Sequence, residues 1–163
     1  MDGAGEQAEA SDWLSEENFT WPSVETRHGV INRRRELYRA MHDLEAASAR
    51  PSGLADWCIE IEAALAGVEV ALRSHVRQVE ADEGLFAQVM DESPRLAPCI
   101  DSLRKEHDEL LSACHTALRL SADWEPSNLR RRINTLLDRL ATHRQSGAEL
   151  LFDAYNVEIG GSG

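Results

Sequence analysis

The sequence predicts an all-α fold, an up-down antiparallel four-helix bundle, from three observations. Apolar residues recur at alternating steps of three and four over four long stretches, the period of a helix with one buried face. Proline, glycine and short polar clusters separate those stretches. Four histidines fall on the four predicted seams at nearly equal distances from the turns. His28 and His75 lie 23 residues before and 24 after Pro51, His75 and His107 each 16 from Asp91, and His107 and His143 each 18 from Glu125. In an up-down arrangement equal arms mean equal height along the axis, so the four rings are expected at one level.

The chain has 163 residues, enough for one domain with a sizeable core. Its formal net charge is −12, with a pI near 4.9. That balance opposes nucleic acid and anionic membranes as partners, since both require a positive field. The arginine runs 33–35 and 130–132 are read as solvated helix faces with local ion pairs. Cys58, Cys99 and Cys114 are odd in number, widely spaced and without a CxxC pair, as expected of reduced cytosolic thiols. No apolar run approaches about 18 residues and the first 25 residues do not read as an export signal, so a cytoplasmic protein is expected.

Residues 1–20 are expected to form an acidic flexible tail. Six acidic and no basic side chains occur before position 19, a composition that does not offset the entropy of ordering. Trp13, Leu14 and Phe19 are its apolar exceptions, available to the bundle or to a protein partner. The bundle itself is expected over 21–157, followed by a flexible tail over 158–163.

The first helix is expected to open near Trp21-Pro22-Ser23, with proline in its first turn. Its stripe reads Trp21, Val24, His28, Ile31, Tyr38, Met41 and Leu44, interrupted at Arg34 and Arg35; His42 falls beside it. Ala49-Arg50-Pro51-Ser52-Gly53 ends the helix. The second helix, from about Leu54 to Val79, carries Ile61, Leu65, Val68, Leu72, His75 and Val79. An irregular crossing follows through Gly84-Leu85-Phe86, Asp91, Pro94 and Pro98. The third, from about Pro98 to Leu120, carries Ile100, Leu103, His107, Leu110, Cys114 and Ala117. After a turn at 123–128, the fourth carries Leu129, Ile133, Leu136, Leu140, His143, Gly147, Leu150 and Ala154.

A buried neutral imidazole has a donor and an acceptor to satisfy, at about 1 to 3 kcal/mol for each group left unpaired. Four such rings at one level must therefore hydrogen-bond one another and water, or share a cation. Imidazole nitrogen on separate stiff helices suits iron, zinc or another late divalent metal better than magnesium or calcium.

One histidine per helix, Glu106-His107 on the third, and His75-Val76-Arg77-Gln78-Val79-Glu80 followed by Leu85-Phe86 together resemble the hemerythrin-like, HHE cation-binding family. The resemblance spans roughly Val24 to Tyr155. It implies a non-haem di-iron site bridged by two carboxylates and used in oxygen binding, oxygen or redox sensing, or iron handling. By that resemblance His28, His75, His107 and His143 are metal ligands, and Glu80, five residues after His75, is the candidate bridging carboxylate. The corresponding fourth-helix positions hold Gly147 and Ala148, and the place of a further third-helix histidine holds Leu111. Four histidines and one carboxylate suffice for one ion, or for two completed by water. The expected function is metal binding for sensing or storage rather than substrate turnover, with iron preferred and zinc allowed. The alternative is a metal-free helical interaction module, whose histidines persist as a polar network and whose acidic tail recognises a protein. A third reading, a di-iron oxidase or peroxidase-like enzyme, would need open coordination positions and a substrate route.

Overall fold

The computed structural model describes residues 24–156, with side chains over 34–155. The acidic tail, the first turn expected at Trp21-Pro22-Ser23, the His28 side chain and the C-terminal tail lie outside the described residues. Five α-helices follow in order: α1 (Val24–Ala49), α2 (Trp57–Val79), α3 (Leu85–Glu92), α4 (Ala97–Leu120) and α5 (Pro126–Asn156). A 3-10 turn over Pro94–Leu96 joins α3 to α4. Among the described residues there is no strand, and no helix is long and apolar enough to cross a membrane. The four long helices touch in a closed ring, α1 on α2, α2 on α4, α4 on α5 and α5 on α1.

The seams of α2, α4 and α5 are the buried faces, as their periods predict. Ile61, Leu65, Val68, Leu72 and Val79 meet Ile100, Leu103, Leu110, Cys114 and Ala117, and Leu129, Ile133, Leu136, Leu140, Leu150 and Ala154 complete the interior. This interior divides in two. One apolar cluster reaches as far as Leu72, Leu110 and Leu140, and the other starts at Val79, Leu103 and Leu150. His75, His107 and His143 occupy the layer between them.

On α1 the expected stripe is corrected. Leu37, Met41, Leu44 and Ser48 are buried, whereas Tyr38 is 53% exposed. Steps of four, three and four from Leu37 keep the buried line, and Tyr38 stands about 100° away from it. Its ring faces solvent beneath the Arg144 guanidinium, 4.9 Å from the ring centroid.

In the arginine runs Arg35, Arg131 and Arg132 are exposed, as expected of a solvated face, whereas Arg34 and Arg130 are part-buried. Arg34 turns inward, as described below. Arg130 donates from Nε to the Ser48 carbonyl at 2.8 Å and from Nη2 to the Arg50 carbonyl, so it satisfies backbone oxygens at the end of α1. The same guanidinium covers Trp57 at 5.2 Å, and Arg132 covers Trp124 at 4.3 Å. Planar delocalised cations stack on indole rings while keeping their donors free for carbonyls.

The crossing expected to be irregular contains α3. Leu85, Phe86 and Val89 are its buried face, pressed against Leu96, Ile100, Leu103, Leu150 and Leu151. Two contacts secure it to α5: Arg95 donates to the Asp153 carbonyl at 2.7 Å and Ser93 to the Ala154 carbonyl at 3.4 Å. Gly84 makes the entry to α3 possible. A Cβ there would stand 2.5 Å from the Gln78 carbonyl, 2.8 Å from that of Val79 and 2.9 Å from that of Ala81. Backbone atoms cannot yield as a side chain can, so Gly84→Ala should destabilise the protein by about 1 to 3 kcal/mol, read from urea midpoints.

Cys114 is fully buried, and burial together with Glu69 pushes its thiol up to about 12, while Cys58 and Cys99 are exposed. A maleimide should therefore label two cysteines in the native protein and the third only on unfolding, as mass spectrometry would count.

Candidate metal centre

Three helices each contribute one imidazole to the polar layer. His75 from α2, His107 from α4 and His143 from α5 have ring centroids 4.7 to 5.8 Å apart, all in edge-to-face orientation. One ring nitrogen from each lies within 4.8 Å of the other two. His107 and His143 are almost completely buried, and His75 is half-buried. The constant rise of the helices brings these positions to one height, and the seam turns them inward. His42 and His115, off their seams, are exposed.

Two of the rings have a carboxylate behind them. Glu80 Oε1 is 2.5 Å from His107 Nδ1, and Glu106 Oε2 is 2.8 Å from His143 Nδ1. Glu80 follows α2 and serves the histidine of α4; Glu106 on α4 serves the histidine of α5. A neutral imidazole that donates Nδ1–H to a carboxylate keeps Nε2 as a lone pair. That nitrogen of His107 is buried and has no hydrogen-bond partner. Phe86 stacks on the His107 ring, with centroids 5.8 Å apart and planes 12° from parallel, and limits its rotation.

The layer encloses a cavity of about 20 Å³, room for one water-sized atom. Its walls include Arg34, Val79, Phe86, Leu103, Gly147 and Leu150 besides the three histidines. The Arg34 guanidinium is the one permanent charge among them. Burial and then Arg144 lower its pKa to about 10. His75 is pushed down to about 3, first by burial and then by His107, His143 and Arg34. Burial also lowers His107, opposed by its hydrogen bond to Glu80. At neutral pH the layer therefore offers His75 and His107 unprotonated.

Compared with models of protein families, with curated proteins and with solved structures, the chain matches none. The chemistry of the donor set has to carry the argument.

That set fits one imidazole-bound cation. Around a tetrahedral ion with metal–nitrogen bonds of about 2.0 Å, ligand atoms lie roughly 3.3 Å apart, so the rings need to close by about 1.5 Å, within reach of side-chain rotation. Carboxylates on the outer nitrogens are the usual supports of such ligands. The set does not fit a carboxylate-bridged pair of ions. Gly147 and Ala148 offer no ligating side chain, and the nearest charged group at Gly147 is Arg34, whose Nη2 would be 3.6 Å from a Cβ at that position.

Of the residues singled out in the sequence, His75, His107 and His143 converge. Glu80 stands at the outer nitrogen of His107 rather than among the converging atoms. The backbone at His28 is helical, but its side chain lies outside the described residues. The sequence placed Arg34 on a solvated face and gave Glu106 no role of its own. Glu106 carried one signal, its place beside a seam histidine and one helix away from another.

Proposed function

We propose that this chain is a hemerythrin-like metal-binding protein, an up-down antiparallel four-helix bundle that holds a single late divalent ion, iron or zinc, on His75, His107 and His143. The observation that carries this reading is the buried, unpartnered Nε2 of His107, on a ring whose other nitrogen is engaged by Glu80 and which faces two further imidazoles. The closed ring of contacts among the long helices supports the bundle. The matching arm lengths make His28 the proposed fourth ligand. Glu80 and Glu106 orient the rings and raise their basicity. With the ligands contributed by stiff helices, the role proposed is oxygen or redox sensing or iron handling rather than turnover.

Metal analysis of untagged protein tests the reading. One ion per chain, lost when His75 and His107 are both changed to alanine, would support it. A ligand confined to the folded state adds about 2.7 kcal/mol of stability at a hundredfold excess over Kd, so the melting temperature should rise with Fe(II) or Zn(II) and fall with chelator. Glu80→Ala and Glu106→Ala should each weaken binding about ten- to a hundredfold, measured by chelator competition.

A second reading has one observation in its favour, the Arg34 cation in the cavity wall, which repels a metal ion. In that reading the histidines form a polar network in a protein-interaction module. Absence of any ion after aerobic and anaerobic loading would select it.

A further inference from the structure

We infer that the open groove along the outer side of α1 and α2 is the docking site of this chain's own N-terminal segment, with Trp13 and Leu14 as its anchors. The inference stands apart from the metal reading, since the groove and the histidine cavity share no lining residue.

The second helix has two apolar faces. One is the seam buried in the core. The other runs through Ile59, Ala63, Gly67 and Val70 in steps of four, four and three, and on it Ile59 is 66% and Val70 68% exposed. A continuous apolar face left in water marks a surface that something covers. Beside it the small side chains of Ala40 on α1 and Ala64 and Ala71 on α2 leave a groove of about 610 Å³.

Reach and charge select the occupant. On α1 the groove extends from Glu36 to Asp43, twelve to nineteen residues beyond Val24 and thus about 18 to 28 Å along the axis. An extended chain covers about 3.3 Å per residue. Phe19, five residues before Val24, falls short at about 16 Å, whereas Trp13, eleven before it, spans about 36 Å and arrives with residues to spare for the reversal of direction. Trp13 and Leu14 bring a large apolar area on two adjacent positions. Between Leu14 and Phe19 the segment carries Glu16 and Glu17. The stretch they cross is cationic. Arg39 lines the groove, Arg35 stands one turn before it, and Arg77 lies two turns beyond Val70. All three are exposed, and none has an ion-pair partner among the described residues. Of the acidic groups in the groove wall, Glu36 is already engaged, and Asp43 stands at the far end, level with the uncharged pair Trp13-Leu14.

The test is limited proteolysis of the full chain by an endoprotease that cuts after glutamate, with the cut at Glu16 or Glu17 followed by mass. When docking exchanges rapidly, cleavage tracks the undocked population. Wild type should be cut at least about tenfold more slowly than Trp13→Ser/Leu14→Ser, at a rate independent of protein concentration. Gly67→Gln leaves the cut sequence untouched and fills the groove at a position where a Cβ meets nothing within 4 Å, so the bundle should still fold while its segment is cut as fast as in the double variant. Val70→Glu, at an exposed position and with a charge that repels the acidic segment, should do the same and carries the comparison if Gly67→Gln does not fold. A wild type cut as fast as the double variant, or protection that survives in the folded groove variants, overturns the inference. Protection that grows with protein concentration also overturns it and gives the groove to a second copy of the chain.

Discussion

His107→Leu should abolish stoichiometric metal binding without lowering the melting temperature of the metal-free protein. His107 is 1% exposed and is flanked along its seam by Leu103 and Leu110. Leucine there continues the apolar line and joins the two clusters that the polar layer separates. It also removes a buried ring nitrogen with no partner, a group that costs about 1 to 3 kcal/mol. Glu80 loses its hydrogen bond but is 30% exposed and regains water. The metal-free variant should therefore melt at or above the parent, with each kcal/mol of gain worth about 2 to 4 °C in a chain of this size. Metal affinity should fall by more than the roughly hundredfold that loss of a supporting carboxylate costs, because a ligand itself is gone. Calorimetry with and without Zn(II) measures both effects. A variant that melts far below the parent, with the metal response intact, would show the imidazole to be a packing element and would sink the site.

Acid should destabilise the metal-free protein across the window from about pH 6.5 to about pH 3. An unfolded histidine takes up its proton near 6.5, whereas folded His75 resists protonation down to about 3 because burial and its cationic and imidazole neighbours disfavour the charge. Within the window the unfolded state binds more protons, so stability rises with pH and is lost as pH falls. The contribution is fully present above 6.5. Each pKa unit corresponds to about 1.4 kcal/mol, and the His75 shift sets a ceiling of about 5 kcal/mol at the acid end. Burial of His107 acts in the same direction, while Glu80 opposes it. Urea denaturation at pH 7.5, 5.5 and 4 follows the loss, and His75→Leu isolates its source from ordinary carboxylate protonation. The leucine variant should show a shallower dependence; identical slopes would mean that the layer is not the origin.

Much of this molecule was legible in its sequence, and what was not has particular causes. The seams of α2, α4 and α5 could be followed residue by residue because each is long and strongly periodic. The stripe of α1 is broken by Arg33, Arg34 and Arg35, and beyond that break the period no longer distinguishes Tyr38 from Leu37. Tyrosine, apolar in body and polar at its tip, sits comfortably at a surface under Arg144. The short helix α3 was hidden among Asp91, Pro94 and Pro98, since eight residues are too few for a period to declare itself.

The site divides along the same line. That His75, His107 and His143 share one level follows from chain counting alone, because rise per residue is constant and a returning helix retraces its predecessor. Which carboxylate stands behind which ring does not follow. Glu80 and Glu106 each reach across to a histidine 27 or 37 residues away, and a helix's own period says nothing of its neighbour's rotation. Nor could the arginine run show which guanidinium turns inward. Arg34 lies against Gly147 of the adjoining helix, a neighbour that exists only once the two helices are packed. The period of each helix and the height of its histidine were thus properties of the chain by itself. The charge surrounding those histidines, and with it what they can bind, was decided by lateral contact between helices.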